Sequence, residues 1–135
     1  MRILAIDDEF AALSLLVAIF SEYGACDAAT NGHQALDMYH QAFLSETPYD
    51  LIVVDIQMPE VDGLEVLKKI VHSEKYSGAK PAKKIVISAD SSPHNVCMAG
   101  KFKCEAFLVK PVRRDALMAK LDGMGYVRLS EPHET

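Results

Sequence analysis

Short apolar segments recur along the chain, and three of them contain almost no polar residue. These three are ILAI at 3–6, LIVV at 51–54 and IVIS at 85–88. Apolar runs of this length are typical of strands that are buried on both faces of a parallel sheet. Weaker segments at Cys26–Thr30 and Phe107–Val109 complete a set of five predicted strands.

The segments between these strands have the periodicity of amphipathic helices. Leu13, Leu16, Val17 and Phe20 follow the spacing i, i+3, i+4, i+7, and Gly24 is a candidate for the end of this helix. Four further helices are predicted from Leu36, Tyr39 and Phe43; from Leu64, Leu67, Ile70 and Val71; from Ser92-Pro93 as N-cap and first turn; and from Ala116, Leu117 and Leu121. This alternation predicts an α/β fold, a doubly wound five-stranded parallel sheet with helices on both faces.

The length of the chain, 135 residues, is that of one domain. We predict a domain over residues 1–123 and a short C-terminal tail over residues 124–135, with no effector domain. The polar segment Tyr76–Lys84 is predicted to be a loop at the edge of the sheet where the strands begin.

Composition and cysteine spacing argue against several classes of protein. No apolar stretch approaches the roughly 18 residues of a membrane span, and the N-terminal segment lacks the pattern of a secretory signal. The three cysteines, Cys26, Cys97 and Cys104, are odd in number and lack the CxxC spacing of zinc sites. We therefore expect a cytoplasmic protein without membrane insertion, with reduced thiols and with Cys97 and Cys104 buried as small apolar side chains.

The net charge of −5 conceals a strong asymmetry between the two halves of the chain. Residues 1–65 carry twelve Asp or Glu and one basic residue, whereas residues 66–135 carry thirteen Lys or Arg and seven acidic residues. The basic residues are scattered, without long runs or interleaved aromatic residues. Direct binding of nucleic acid is therefore not expected.

Chemically distinctive residues follow the predicted strands. They are Asp7, Asp8 and Glu9 after the first strand, Asp55 after the third, Ser88 and Asp90 at the end of the fourth, and Lys110 after the fifth. Ligands of open parallel sheets bind beyond the carboxyl ends of the strands, where these residues would meet. Clustered carboxylates repel one another unless a cation is present, and oxygen ligands without His or Cys favour Mg²⁺.

Five motifs, in their order and spacing, resemble the receiver domain of two-component response regulators, of the stand-alone single-domain type. They are IDDE at 6–9, NG at 31–32, VVDIQMPEVDG at 53–63, VISAD at 86–90 and FLVKP at 107–111. The resemblance covers about residues 1–123 and implies a flavodoxin-like fold with the strand order 2-1-3-4-5.

The resemblance also implies a role for each residue of the acidic set. Asp55 is expected to accept a phosphoryl group from a sensor histidine kinase or a phosphotransfer protein. Asp8, Asp55 and the backbone carbonyl of Gln57 are expected to hold the cofactor Mg²⁺, with Asp7 in a supporting position. Such a chain is a regulatory domain and not an enzyme, although it assists its own phosphorylation and dephosphorylation.

Signalling is expected to depend on residues of the last two strands. By the resemblance, Lys110 and the Ser88 hydroxyl contact the phosphoryl oxygens, and Pro111 follows a cis peptide bond. Ser88 and Phe107 are the expected switch residues, although a packing role for Phe107 remains open. They would alter the surface of the fourth helix, fifth strand and fifth helix, which is read by an unknown downstream protein or by a second copy in a homodimer.

Two departures from the family pattern and one alternative function remain. Phe107 stands where Tyr is more usual, and the segment GKFKCEA at 100–106 lacks the usual Gly-Ala-Asp approach to the fifth strand. A flavodoxin-like FMN carrier is disfavoured because carboxylates stand where its phosphate loop needs hydroxyl groups. The alternative is a phosphorylation-independent, receiver-like interaction module.

Overall fold

Strands and helices alternate through residues 1–129, the part of the chain that the computed structural model describes. The elements in chain order are β1 Arg2–Ile6, α1 Phe10–Phe20, β2 Ala25–Ala29, α2 Gly32–Leu44, β3 Leu51–Asp55, α3 Gly63–Ser77, β4 Lys83–Ser88, α4 Pro93–Lys101, β5 Ala106–Val109 and α5 Arg114–Gly123. All five strands are parallel, in the order β2-β1-β3-β4-β5. The predicted fold class and strand order are confirmed. Of the predicted tail, residues 130–135 lie outside the described residues.

The register of the central strands aligns their carboxyl ends at one edge of the sheet. Ile6 of β1 pairs with Val54 of β3, and Asp55 pairs with Ile87 of β4. All five residues of β3 are buried, as expected for a strand that is flanked by two others and covered on both faces. The residues that end or follow β1, β3 and β4 are therefore neighbours in space.

Two hydrophobic cores lie on opposite faces of the sheet. Ile52 and Val54 of β3 belong to the first core, which α2, α3 and α4 cover. Leu51 and Val53 belong to the second core, which α1 and α5 cover. Because successive side chains of a strand point to opposite faces, one apolar run contributes to both cores. The near absence of polar residues in β3 follows from this arrangement.

Side-chain caps determine where three of the helices begin. In each, a side-chain oxygen accepts a hydrogen bond from a backbone N–H of the first turn. The pairs are Asn31 with the N–H of Gln34 at 2.8 Å, Asp62 with that of Glu65 at 2.9 Å and Ser92 with that of Asn95 at 3.4 Å. The predicted cap at Ser92 is confirmed. By contrast, α1 ends at Phe20, and Gly24 does not terminate it. A Cβ atom at Gly24 would lie 2.3 Å from the carbonyl oxygen of Met1, so close packing requires glycine there.

The segment between α3 and β4 is shorter than the predicted loop Tyr76–Lys84. Helix α3 continues to Ser77 and ends at Gly78, which has the left-handed φ of 71° that glycine adopts easily. Strand β4 begins at Lys83, which leaves residues 78–82 as the connection. Lys84 is buried against Glu74 and is not a solvated loop residue.

The cysteines differ in exposure, and the expectation that both Cys97 and Cys104 are buried was wrong for one of them. Cys97 on α4 is exposed, because it lies on the face of the helix away from the sheet. Cys104 is half-buried against the first core, and burial raises the pKa of its thiol to about 11. Among residues 1–129, no helix has both the length and the apolar character to cross a membrane.

Gly32, the first residue of α2, packs closely on the segment after β3, whereas Gly100 in α4 faces open space. A Cβ atom at Gly32 would lie 2.7 Å from both Cβ and the carbonyl oxygen of Val61, whereas one at Gly100 in α4 would meet nothing within 4 Å. We expect Gly32→Ala to lower the free energy of unfolding by about 1–3 kcal/mol because of overpacking. The control Gly100→Ala should raise it by about 0.5–1 kcal/mol through helix propensity. Urea unfolding measures both, and equal effects would contradict the close contact at Gly32.

Candidate functional site

The predicted acidic residues converge at the carboxyl edge of the sheet. Asp7 follows β1 directly, and Asp55 is the last residue of β3. Asp7, Asp8 and Asp55 each place a carboxylate oxygen within 4.8 Å of the others. Asp7 and Asp55 are buried, while Asp8 is exposed to solvent. Three like charges therefore lie close together, and two of them are shielded from water.

Lys110, just after β5, supplies a positive charge to this cluster. Its Nζ atom lies 2.9 Å from Oδ2 of Asp7 and donates a hydrogen bond of 3.2 Å to Oδ2 of Asp55. The exposed Glu9 is more distant, at 3.7 Å. The Lys110 backbone N–H donates to the carbonyl of Ser88 at 2.9 Å, which ties the residue to the end of β4. The peptide bond between Lys110 and Pro111 is cis, as the family resemblance implied.

Local backbone hydrogen bonds orient the two buried carboxylates. Oδ1 of Asp7 accepts from the N–H of Glu9 at 2.9 Å, and Oδ1 of Asp55 accepts from the N–H of Gln57 at 3.1 Å. Each turn holds one oxygen of its aspartate and leaves the other for Lys110. Gly63 begins α3 against this turn, since a Cβ atom there would lie 2.3 Å from the carbonyl oxygen of Asp55.

One buried oxygen of the cluster keeps unused acceptor capacity. Within residues 1–129, Oδ2 of Asp7 is a buried oxygen whose one close polar neighbour is the Lys110 ammonium, at 2.9 Å. Buried acceptors are normally satisfied, and a hard cation is one way to satisfy this one. The oxygen-only set of Asp7, Asp8 and Asp55, with Asp8 open to water, fits Mg²⁺, which binds a few carboxylates and keeps several waters.

Burial and mutual repulsion set the protonation of the cluster. Burial raises the pKa of Asp55 and the charge of Asp7 raises it further, against the opposing effects of the Gln57 N–H and of Lys110. Burial acts to lower the pKa of Lys110, but its contacts with Asp7 and Asp55 outweigh burial and raise the pKa. Lys110 therefore stays charged at neutral pH, and one cation faces several carboxylates.

The predicted switch residues lie beside this cluster and in the first core. Ser88 is fully buried at the end of β4, where its Oγ atom accepts from the N–H of Asp90 at 3.0 Å. Phe107 on β5 pairs with Val86 and is half-buried against the first core. The side chain of Gln57 is exposed, and its backbone forms the turn at Asp55.

A cavity of about 340 Å³ adjoins the carboxylates on the side of α1. The sequence analysis did not predict it. Its walls include Ala12 and Leu16 of α1, Val112, and the site residues Asp7 and Lys110. Helical periodicity marks Leu16 as a core residue but carries no information about which strand end it faces. The cavity gives the site an apolar side wall.

Comparison with known proteins agrees with this geometry. The family model described as response regulator receiver domain matches residues 3–122. The chain belongs to this family.

Three individual proteins illustrate the range of similarity. The transcriptional regulatory protein ZraR of Klebsiella oxytoca is 33% identical over 131 residues, which cover 96% of this chain and 27% of that regulator. A CheX–CheY–BeF3–Mg²⁺ complex from Borrelia burgdorferi is 26% identical with a TM-score of 0.77, covering 92% of this receiver and 88% of that chain. TrrA of Thermotoga maritima, in complex with Mg²⁺ and BeF, is 33% identical with a TM-score of 0.68, covering 91% and 97%. The receiver thus spans about a quarter of the length of the Klebsiella regulator.

The pH dependence of stability tests the buried state of Asp55. Because its pKa is raised, the native receiver binds the Asp55 proton more tightly than the unfolded chain, in which an aspartate pKa is about 3.9. The stabilising contribution of this group is therefore complete below that pH and is lost as the pH rises through the native pKa. In EDTA, the free energy of unfolding of Asp55→Asn should therefore rise relative to that of the wild type as the pH increases from about 3.9 through the native pKa of Asp55. Above that pKa the difference between the two proteins should be constant.

Urea unfolding at a series of pH values measures this difference. The control is Asp37→Asn, which changes an exposed aspartate on α2 and should give no comparable trend. A difference between Asp55→Asn and the wild type that is constant with pH, or that shrinks as the pH rises, would refute the raised pKa.

Proposed function

We propose that this receiver is a phosphoacceptor switch in a cytoplasmic two-component system, with Asp55 as the acceptor. The observation that carries the proposal is the setting of the Asp55 carboxylate. It is buried, oriented by the Gln57 N–H, in contact with the Lys110 ammonium, and within 4.8 Å of two further carboxylates. A carboxylate that is fixed beside a cation and a metal-type oxygen cluster is suited to attack phosphorus.

The donor in this proposal is a phosphohistidine of a sensor histidine kinase or of a phosphotransfer protein. A carboxylate oxygen of Asp55 forms a bond to phosphorus while the N–P bond breaks, and its electron pair returns to the imidazole. Lys110 offers fixed positive charge to the phosphoryl oxygens, and the Ser88 hydroxyl donates a hydrogen bond to one of them. The product is an acyl phosphate on the chain itself, which makes the receiver a regulatory domain and not an enzyme.

Mg²⁺ is the proposed cofactor, held by Asp8, Asp55 and the backbone carbonyl of Gln57, with Asp7 in support. The unused acceptor capacity of Asp7 and the shared position of the three carboxylates support this assignment. When bound, Mg²⁺ supplies positive charge that offsets the carboxylates and the incoming phosphoryl group. The Borrelia and Thermotoga structures described above contain Mg²⁺ together with beryllium fluoride.

The output in this proposal is a change at the surface formed by α4, β5 and α5. Phosphorylation gives the Ser88 hydroxyl an anionic group to which it can donate, while its Oγ atom now accepts from the N–H of Asp90. Movement of the segment after β4 would alter the packing of Phe107, which is half-buried. Because the surface carries Lys101, Arg113 and Arg114, an acidic downstream protein or a second copy of the chain fits it.

Metal binding is expected to stabilise the receiver. For a dissociation constant of about 1 mM, about 10 mM Mg²⁺ adds about 1.4 kcal/mol, or about 4 °C in melting temperature. Asp8→Asn should remove most of this shift, because it deletes one ligand charge at the exposed side of the cluster. Asp37→Asn is the matched control and should keep the shift. Thermal unfolding with and without Mg²⁺ measures it, and a shift that survives Asp8→Asn would show that the metal binds elsewhere.

Incubation with a small acyl phosphate and Mg²⁺ should add one phosphoryl group at Asp55. Intact-protein mass spectrometry should detect it, and hydroxylamine should remove it, because an acyl phosphate is labile to that nucleophile. Asp55→Asn should abolish the modification, and Asp37→Asn should not. Lys110→Ala should lower the yield about tenfold or more, since a fixed cation beside the transferred group is lost.

The same experiment separates the two functions that the sequence left open. Absence of phosphorylation in the wild type, with Mg²⁺ binding intact, would favour the phosphorylation-independent interaction module. A modification that persists in Asp55→Asn and is lost in Ser88→Ala would move the acceptor to the hydroxyl group.

A further inference from the structure

A second cavity lies at the edge of the sheet opposite the acidic cluster. It has a volume of about 280 Å³ and opens between the carboxyl ends of α3 and α4, next to the start of β4. Val71 of α3, Pro81 and Phe102 provide apolar surface in its wall. Neither the family match nor the proposed phosphotransfer assigns a role to this cavity.

A buried ion pair forms part of its wall. Lys84 and Glu74 are 4% and 6% exposed, and Nζ of Lys84 lies 2.8 Å from Oε1 of Glu74. The same ammonium donates to the carbonyl of Ala82 at 2.7 Å, and the Ala82 N–H donates to Oε2 of Glu74 at 2.7 Å. An ammonium has three N–H donors, and within residues 1–129 only two of those of Lys84 have acceptors. The ion pair therefore contributes a buried, hydrogen-bonded wall without net charge.

Three further lysines give the cavity a net positive charge. Lys75, Lys101 and Lys103 line it and are exposed to solvent. Among the described residues, no carboxylate lies within 4.0 Å of any of their ammonium groups. Since Glu74 and Lys84 neutralise each other, three positive charges stay uncompensated around one small concave surface. Such a surface attracts anions.

Lys103 directly follows the C-terminal cap of α4. Its φ is 58°, in the left-handed region that glycine adopts without strain and a lysine does not. The N–H groups of Lys103 and Cys104 donate to the carbonyls of Gly100 and Ala99 at 3.0 and 3.1 Å, so this left-handed residue closes the helix.

We propose that this basic cavity binds a small organic phosphate, with its apolar body against Val71 and Phe102 and its anionic group among Lys75, Lys101 and Lys103. The volume lies near the lower limit of small-molecule sites, which suits an aryl phosphate or a mononucleotide. The apolar wall and the concave shape favour such a ligand over an extended polyanion. The inference stands independently of phosphorylation at Asp55, because the two sites lie at opposite edges of the sheet.

Phenylphosphonate is the probe, used in EDTA so that the acidic cluster holds no metal. Titration followed by amide ¹H–¹⁵N spectra should shift residues 71–75 and 101–104, and leave residues 7–9 and 55–57 unmoved. Inorganic phosphate should bind more weakly, because it lacks the apolar body, and benzyl alcohol should not bind. Lys101→Ala/Lys103→Ala should weaken binding at least about tenfold. The control Lys68→Ala/Lys120→Ala removes two exposed lysines outside the cavity and should change binding less than about twofold.

The single variant Lys103→Gly separates ligand binding from a structural role. It should raise the melting temperature by about 3 °C through relief of strain, and at the same time weaken phenylphosphonate binding several-fold. An increase in melting temperature with unchanged binding would overturn the proposal, as would the absence of wild-type binding at about 10 mM probe. Binding of RNA through the same lysines without binding of phenylphosphonate would also overturn it, in favour of a macromolecular ligand.

Discussion

The contact of Lys110 with two buried carboxylates is the interaction on which the carboxyl edge of the receiver depends. Asp7 and Asp55 lie at the ends of adjacent parallel strands, and burial together with their mutual repulsion disfavours two full charges. The ammonium lies within 3.2 Å of both and partly compensates them. Because one cation does not balance the whole cluster, the edge retains affinity for a further positive ion. The phosphotransfer that we propose would use this residual charge.

The parallel sheet explains why this imbalance can be built at all. Strands of one direction bring residues that are distant in the chain, such as Asp7, Asp55 and Lys110, to one edge, while apolar side chains fill both faces. The opposite edge collects lysines from the second half of the chain, including Lys84 and Lys103. The charge asymmetry along the chain thus becomes, in part, a polarity between the two edges. We infer that both edges recognise phosphate, one by covalent capture and the other by reversible binding.

Local patterns determined most of the fold and the composition of the acidic cluster. The apolar runs within β1, β3 and β4 indicate strands that are buried on both faces, and the cap at Ser92 marks the start of α4. The alternation of strands and helices indicated that the strands are parallel. The parallel direction in turn implied that the residues after the strands meet at one edge of the sheet. These features are readable because each depends on neighbours in sequence or on one global rule.

Tertiary structure alone decided the features that depend on distant partners. Lys84 in a run of lysines indicates a solvated position, yet it is buried because Glu74 and the carbonyl of Ala82 reach it from α3 and the connecting segment. The contact of Gly32 with Val61 likewise arises from packing between separate elements. The periodicity of apolar residues indicates which face of a helix or strand is buried, but not which distant residues contact that face. Partner identity and cavity shape are settled when the elements pack together.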